Sequence, residues 1–231
     1  MSDSKKMTFG LIVGNRGFFP AALALSGRVE MIKVLNEAGY DVVIPGPDET
    51  KVGAIESRQE AHICGELFKK NADRIDGIIV TLPNFGDERA IAEAIKVSGL
   101  NVPVLIQATP DEAGKMTIAH RRDSFCGKMS ACNNLRQIGV DYTLTRSHTV
   151  APDSDEFKAD LDRFAAICRV VNGLRKLRIL AIGARPLRRR VAPPAPRYVP
   201  LPPFLSPDVG RPPECETWHR WSVSPKNPSW P

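Results

Sequence analysis

The sequence predicts an α/β protein: an open, doubly wound parallel sheet of the Rossmann or flavodoxin-like kind, followed by a disordered, Pro/Arg-rich C-terminal tail. Three observations predict it. Short β-branched apolar runs alternate with segments of helical spacing from residue 8 to about 173, and that alternation makes parallel strands joined by right-handed crossovers. Each apolar run is bounded by Gly, Pro or Asn, residues that end strands and start turns. Beyond residue 186 the alternation stops. There, in 187–231, lie 12 of the 20 prolines and all three tryptophans, and proline lacks the N–H that a central strand donates.

The elements follow in order. Phe9–Val13 is the first strand. Pro20 takes the first position of a helix whose stripe Val29, Ile32, Leu35 and Ala38 ends at Gly39, as a C′ glycine should. Val42–Ile44 is the second strand. Ser57-Arg-Gln-Glu60 is a capping box ahead of Ile63, Cys64, Leu67 and Phe68. Gly77–Leu82 is the third strand, after which Asp87 opens a helix that Gly99 closes. Val102–Ile106 is the fourth strand. Asp123 precedes a helix from Phe125 to Ile138, with Gly139 after it. Tyr142–Leu144 is the fifth strand, and Asp153–Glu156 puts negative charge at the start of a helix reaching about Val171. A sixth run, Ile179–Ile182, begins something new. The boundaries are therefore 8–173 for the α/β domain, 177–186 for that new strand and 187–231 for the tail.

Composition narrows the function classes. Hydrophobic residues are 42% and charged residues 25% of the chain, which suits a packed soluble core. No apolar run approaches the roughly 20 residues of a membrane span, and Met1–Lys6 has no secretory apolar region. A soluble, cytoplasmic protein with no membrane partner is expected. The tail, with seven Arg/Lys against three Asp/Glu, carries most of the net charge of +6. The nearly neutral body that remains argues against a nucleic-acid partner. Cys64, Cys126, Cys132, Cys168 and Cys215 form no CxxC pair, so they read as buried thiols, not as a disulfide framework or zinc knuckle.

Open parallel sheets bind ligands beyond the carboxyl ends of their strands, and the loops there run over 14–20, 83–87, 107–116 and 146–149. Gly14-x-x-Gly17 before a helix resembles an anion cradle. It is not GxGxxG and no GKS/T follows it, which favours a tight turn without nucleotide. Arg16 suits a carboxylate, a set of hydroxyls or plain surface. Asn84 suits a polyol or its own turn, while Asp87 reads as a helix cap. His148 is a ligand contact or a structural histidine. Ser124, Gly127, Ser130 and Asn134 form a small polar stripe, fit for close approach of another backbone or a sugar, or for packing on the sheet. Lys128 on that helix is expected to project toward solvent or a partner. No pair of carboxylates with a histidine stands at ligand spacing, so no complete metal site is expected.

Leu11-Ile-Val-Gly-Asn-Arg-Gly-Phe-Phe-Pro20, Ile79-Val-Thr-Leu-Pro-Asn-Phe-Gly-Asp-Glu88, Arg121-Arg-Asp-Ser-Phe-Cys-Gly-Lys-Met129 and Ala181-Ile-Gly-Ala-Arg-Pro186, in this order and spacing, resemble the L-fucose/L-arabinose isomerase family. The resemblance runs from about residue 8 to Pro186. It implies an aldose–ketose isomerase of carbohydrate metabolism, cytoplasmic and hexameric. Such enzymes use a divalent metal such as Mn2+ to stabilise an enediolate while carboxylates move the proton between C1 and C2. The family's metal-binding Glu, Asp and His come from later domains, so no catalytic or metal-binding residue is expected here and this chain should be inactive alone. The first domain of the family reaches over the sugar bound in a neighbouring subunit. By position Asn15, Arg16, Asn84, Phe85 and Lys128 carry over as substrate-rim residues, and His148 joins them from its loop. On the same resemblance 177–186 is the first strand of a truncated second α/β domain. The tail then reads as an out-of-frame stretch of a GC-rich gene.

Two other functions compete. Arg190-x-x-Pro193-x-x-Pro196 fits the polyproline pattern read by SH3-type grooves, which would make the chain a non-catalytic sugar-binding or adaptor domain. A flavodoxin-like or nucleotide-binding enzyme would need a phosphate loop that the sequence lacks.

Overall fold

The computed structural model describes residues 6–117 and 119–178. The expected strand at 179–182, the second-domain boundary and the 187–231 tail lie outside the described residues. Five strands, β1 (Thr8–Val13), β2 (Asp41–Val43), β3 (Ile75–Leu82), β4 (Val104–Ala108) and β5 (Thr143–Leu144), form one sheet in the order β2-β1-β3-β4-β5. Every pairing in it is parallel. Five helices alternate with them: α1 (Ala21–Glu37), α2 (Arg58–Lys70), α3 (Glu88–Ser98), α4 (Ser124–Gln137) and α5 (Asp155–Arg175). This is the doubly wound α/β sheet that the sequence predicts.

Side-chain alternation along the strands builds two cores. Phe9, Leu11 and Val13 of β1 point to one face, where they meet Met31 and Leu35 of α1 and Phe157 and Phe164 of α5. Ile12 points to the other, with Phe68 of α2, Ile91 and Ile95 of α3 and Leu135 of α4. Each such fully buried side chain contributes about 1.5–3 kcal/mol. β1 and β4 are buried along their whole length, as strands covered on both sides must be. Among the described residues no helix is long and apolar enough to cross a membrane.

Local chemistry sets most helix ends. The Ser57 hydroxyl accepts from Glu60 N (3.2 Å) while the Glu60 carboxylate accepts from Ser57 N (3.0 Å), completing the capping box. Asp87 Oδ1 accepts from Arg89 N (3.1 Å) and Ala90 N (2.8 Å), so the cap reading of Asp87 holds. Gly99 closes α3 at φ 63°, a conformation cheap only for glycine.

Three ends differ from expectation. Pro20 is the N-cap of α1, with ψ 123°, not its first helical residue; the two positions share a fixed φ and differ only in ψ. Asp123 precedes α4 at φ 49° without a side-chain cap, because an N-cap takes extended backbone and this residue is left-handed; its carboxylate pairs instead with Arg121 Nε at 3.0 Å. α5 runs past Val171 to Arg175. Its last turns are fastened to the start of β3 by Asn172 Nδ2, which donates to the Asp76 carbonyl (3.3 Å) and carboxylate (3.2 Å).

Candidate functional site

The loops after β1 and β3 meet because these strands are neighbours, with Val13 paired to Thr81. Asn15 is fully buried at the end of β1, its N–H donating to Ile55 O at 2.9 Å. Its side chain sits in the middle of a directed amide chain. Asn84 Oδ1 accepts from Gly86 N (3.0 Å), and Asn84 Nδ2 donates to Asn15 Oδ1 (2.7 Å). Asn15 Nδ2 then donates to the Glu56 carboxylate, whose other oxygen accepts from Lys51 Nζ at 2.9 Å. Linked bonds of this kind reinforce one another where water is excluded. The chain lashes three loops together, and the turn role of Asn84 is part of it.

Above this chain sits Arg16. Its guanidinium carbon lies 4.7 Å from the Phe85 ring centroid and 5.7 Å from that of Phe18. Its Nη1 pairs with Glu88 Oε2 at 2.8 Å. Phe19, itself buried, supports both rings, 4.9 Å from Phe18 and 6.3 Å from Phe85. Phe18 is 70% exposed. A guanidinium framed by aromatic rings offers flat apolar faces and in-plane donors side by side, the pairing that suits the C–H faces and hydroxyls of a polyol.

Lys128 does not project outward. It is 4% exposed, and its ammonium donates to Thr145 Oγ1 (2.6 Å), His148 O (2.9 Å) and Ser147 O (3.4 Å). Burial lowers its pKa, while the charges of Cys132 and Asp160 pull the other way. The physical reason is register: Lys128 belongs to the buried face that also carries Ser124, Ala131 and Leu135. His148 is exposed, with its ring 5.0 Å from that of Phe125.

The six expected residues thus form two clusters. Asn15, Arg16, Asn84 and Phe85 make one, Lys128 and His148 the other, and α4 bridges them. Its Gly127 lies against the Phe85 backbone, and Ser124 Oγ donates to Thr109 O. The Ser124 and Gly127 end of the small stripe on α4 therefore serves packing. Glu56, Glu88 and Phe18 were missed as site residues. Glu56 stands one residue before the capping box and Glu88 one after the Asp87 cap, so helix-start chemistry accounts for acids there without revealing their partners.

Among the described residues no group of three His, Cys, Asp or Glu side chains is placed to hold a metal ion. The described edge therefore does not fit the divalent metal that the resemblance implies. A family model described as the fucose/sulfoquinovose isomerase N-terminal domain matches residues 10–175. No curated protein matches the chain.

Proposed function

Because the chain belongs to the family of the fucose/sulfoquinovose isomerase N-terminal domain, we propose that it is the substrate-rim domain of a sugar aldose–ketose isomerase. The observation that carries this reading is the Arg16–Phe85–Phe18 face, held by buried amides at the edge where parallel sheets bind ligands. On this reading Arg16 donates to sugar hydroxyls and the two rings lie along the sugar's C–H face. Asn15 and Asn84 fix the loops beneath, and Lys128 positions the loop that presents His148. The metal, Mn2+ by resemblance, and the carboxylates that shuttle the proton come from other domains. The chain then works in a cytoplasmic homo-oligomer, a hexamer by resemblance, and is inactive alone.

The full chain mixed with Mn2+ and L-fucose tests this. No ketose is expected, while millimolar L-fucose shifts the amide resonances of Asn15, Arg16 and Phe85, and Arg16→Ala abolishes the shifts. Ketose formation by the chain alone overturns the division of labour between domains. Shifts confined to other residues, or none at all, overturn the rim.

A further inference from the structure

We infer that Glu88 sets the substrate class of this rim: by neutralising Arg16 it selects uncharged sugars and turns away sulfonated ones. The inference rests on the rim reading above and adds a specificity residue to it. The family description joins a neutral sugar to an anionic one, and the two make opposite demands on a guanidinium. A sulfonate carries a full negative charge and needs a cation not already committed to a carboxylate. A hydroxyl is uncharged and both donates and accepts.

Arg16 is committed. Its Nη1 is 2.8 Å from Glu88 Oε2, with both side chains mostly withdrawn from solvent, at 29% and 17% exposed. Phe85 and Phe18 flank the guanidinium, which thins the water that would otherwise screen the pair. A sulfonate arriving there must either break the pair or settle beside the Glu88 carboxylate, and like charges at such range repel. A sugar hydroxyl can accept from Arg16 and donate to Glu88 at once, so the intact pair is itself a polyol-binding unit.

Arg89 directly follows Glu88, but its side chain is exposed to solvent, where water screens its charge, and most other cations near the rim are engaged. Lys51 faces Glu56 at 2.9 Å and Arg122 faces Glu112 at 3.5 Å. Lys128 spends its ammonium on Thr145 and the 147–148 carbonyls. The amides of Arg89 and Ala90 in the first turn of α3 are taken by the Asp87 cap. Arg146 is exposed, but it follows β5, three strand spacings or about 14 Å from β1.

The test is Glu88→Gln in the full chain, with Glu88→Ala as a second variant, titrated by NMR with L-fucose, with sulfoquinovose and, separately, with methanesulfonate while the Arg16 Nε–H resonance is followed. In the wild type L-fucose should bind more tightly than sulfoquinovose. Both variants should gain roughly tenfold for sulfoquinovose, the worth of one charge-assisted hydrogen bond, with L-fucose changed less than sulfoquinovose. Methanesulfonate should move Arg16 Nε–H saturably in the variants and not in the wild type. Equal binding of both sugars by the wild type, or no sulfoquinovose gain in either variant, overturns the inference while leaving the rim intact. If neither sugar binds any of the three proteins, the rim reading fails and the methanesulfonate titration decides alone. A shift confined to the variants upholds Glu88 as the neutralising partner, and the same shift in the wild type overturns it.

Discussion

Gly127 is the position where one added methyl group should do the most harm. Alanine is the better helix former by about 1 kcal/mol, so propensity alone predicts that Gly127→Ala stabilises α4. Packing opposes it. A Cβ at this position would collide first with the Phe85 carbonyl oxygen, and would stand 2.5 Å from its carbonyl carbon and 2.8 Å from its Cα, where ordinary contact begins at 3.4 Å. All three obstacles are backbone, so no side-chain rotation relieves them. α4 would have to retreat by more than about 1 Å from the 83–87 loop, and interiors packed to crystal density resist such a shift at about 1–3 kcal/mol. Because main chain must move, the cost falls near the upper end, for a net loss of about 2 kcal/mol after the propensity gain. Gly173 in α5 is the control: nothing lies within 4 Å of a Cβ built there, so Gly173→Ala should gain about 0.5–1 kcal/mol. In a domain of this size 1 kcal/mol moves Tm by about 2–4 °C. Thermal melts should therefore show Gly127→Ala down by roughly 4–8 °C and Gly173→Ala up by roughly 1–4 °C. A Gly127→Ala protein that melts at or above the wild type would refute the close-approach argument.

Two further outcomes can be checked alongside. Burial pushes the Cys64 thiol, and with help from Asp76 the Cys168 thiol, from 9.0 up to about 12. A raised pKa means stability fully present below pH 9 and lost as the unfolded chain ionises between pH 9 and 12. Each thiol should cost about 1.4 kcal/mol by pH 10, and Cys64→Ala should flatten the alkaline decline in urea midpoints; an unchanged slope counts against it. Lys128→Met takes away a donor from Thr145, Ser147 and His148. Because its burial already works against the charge, overall stability should fall by only about 1 kcal/mol, while amide hydrogen exchange across 145–149 accelerates; equal exchange in the two proteins would contradict the positioning role.

What the sequence revealed was whatever depends on near neighbours along the chain. Ser57 and Glu60 cap one another across three residues, Asp87 caps the amides next to it, and β-branched runs such as Gly77–Leu82 announce strands covered on both faces. Lys128 was also within reach, since it shares helical spacing with Ser124, Ala131 and Leu135, but a lysine is read as surface by its charge before its register is considered. Arg16 was a different matter. Its three options could be named, yet the choice of Glu88, 72 residues away, follows from β1 lying beside β3, which strand order in the chain does not dictate. Asp123 likewise has the right residue type for a cap, and loses that role to the left-handed geometry of the turn.

The uneven lengths of the strands carry a consequence for how copies of this chain can meet. The three inner strands have six, eight and five residues, but the outermost, β2 and β5, have only three and two. So few unpaired amides and carbonyls give an incoming strand almost nothing to zip onto. Association of the described body through a shared sheet is thereby disfavoured, and any contact between copies would fall to side chains on the helices, where Leu25 and Val29 of α1 and Phe125 and Met129 of α4 stand exposed. Contacts of that sort can be strengthened or erased one residue at a time without disturbing the register of a single strand.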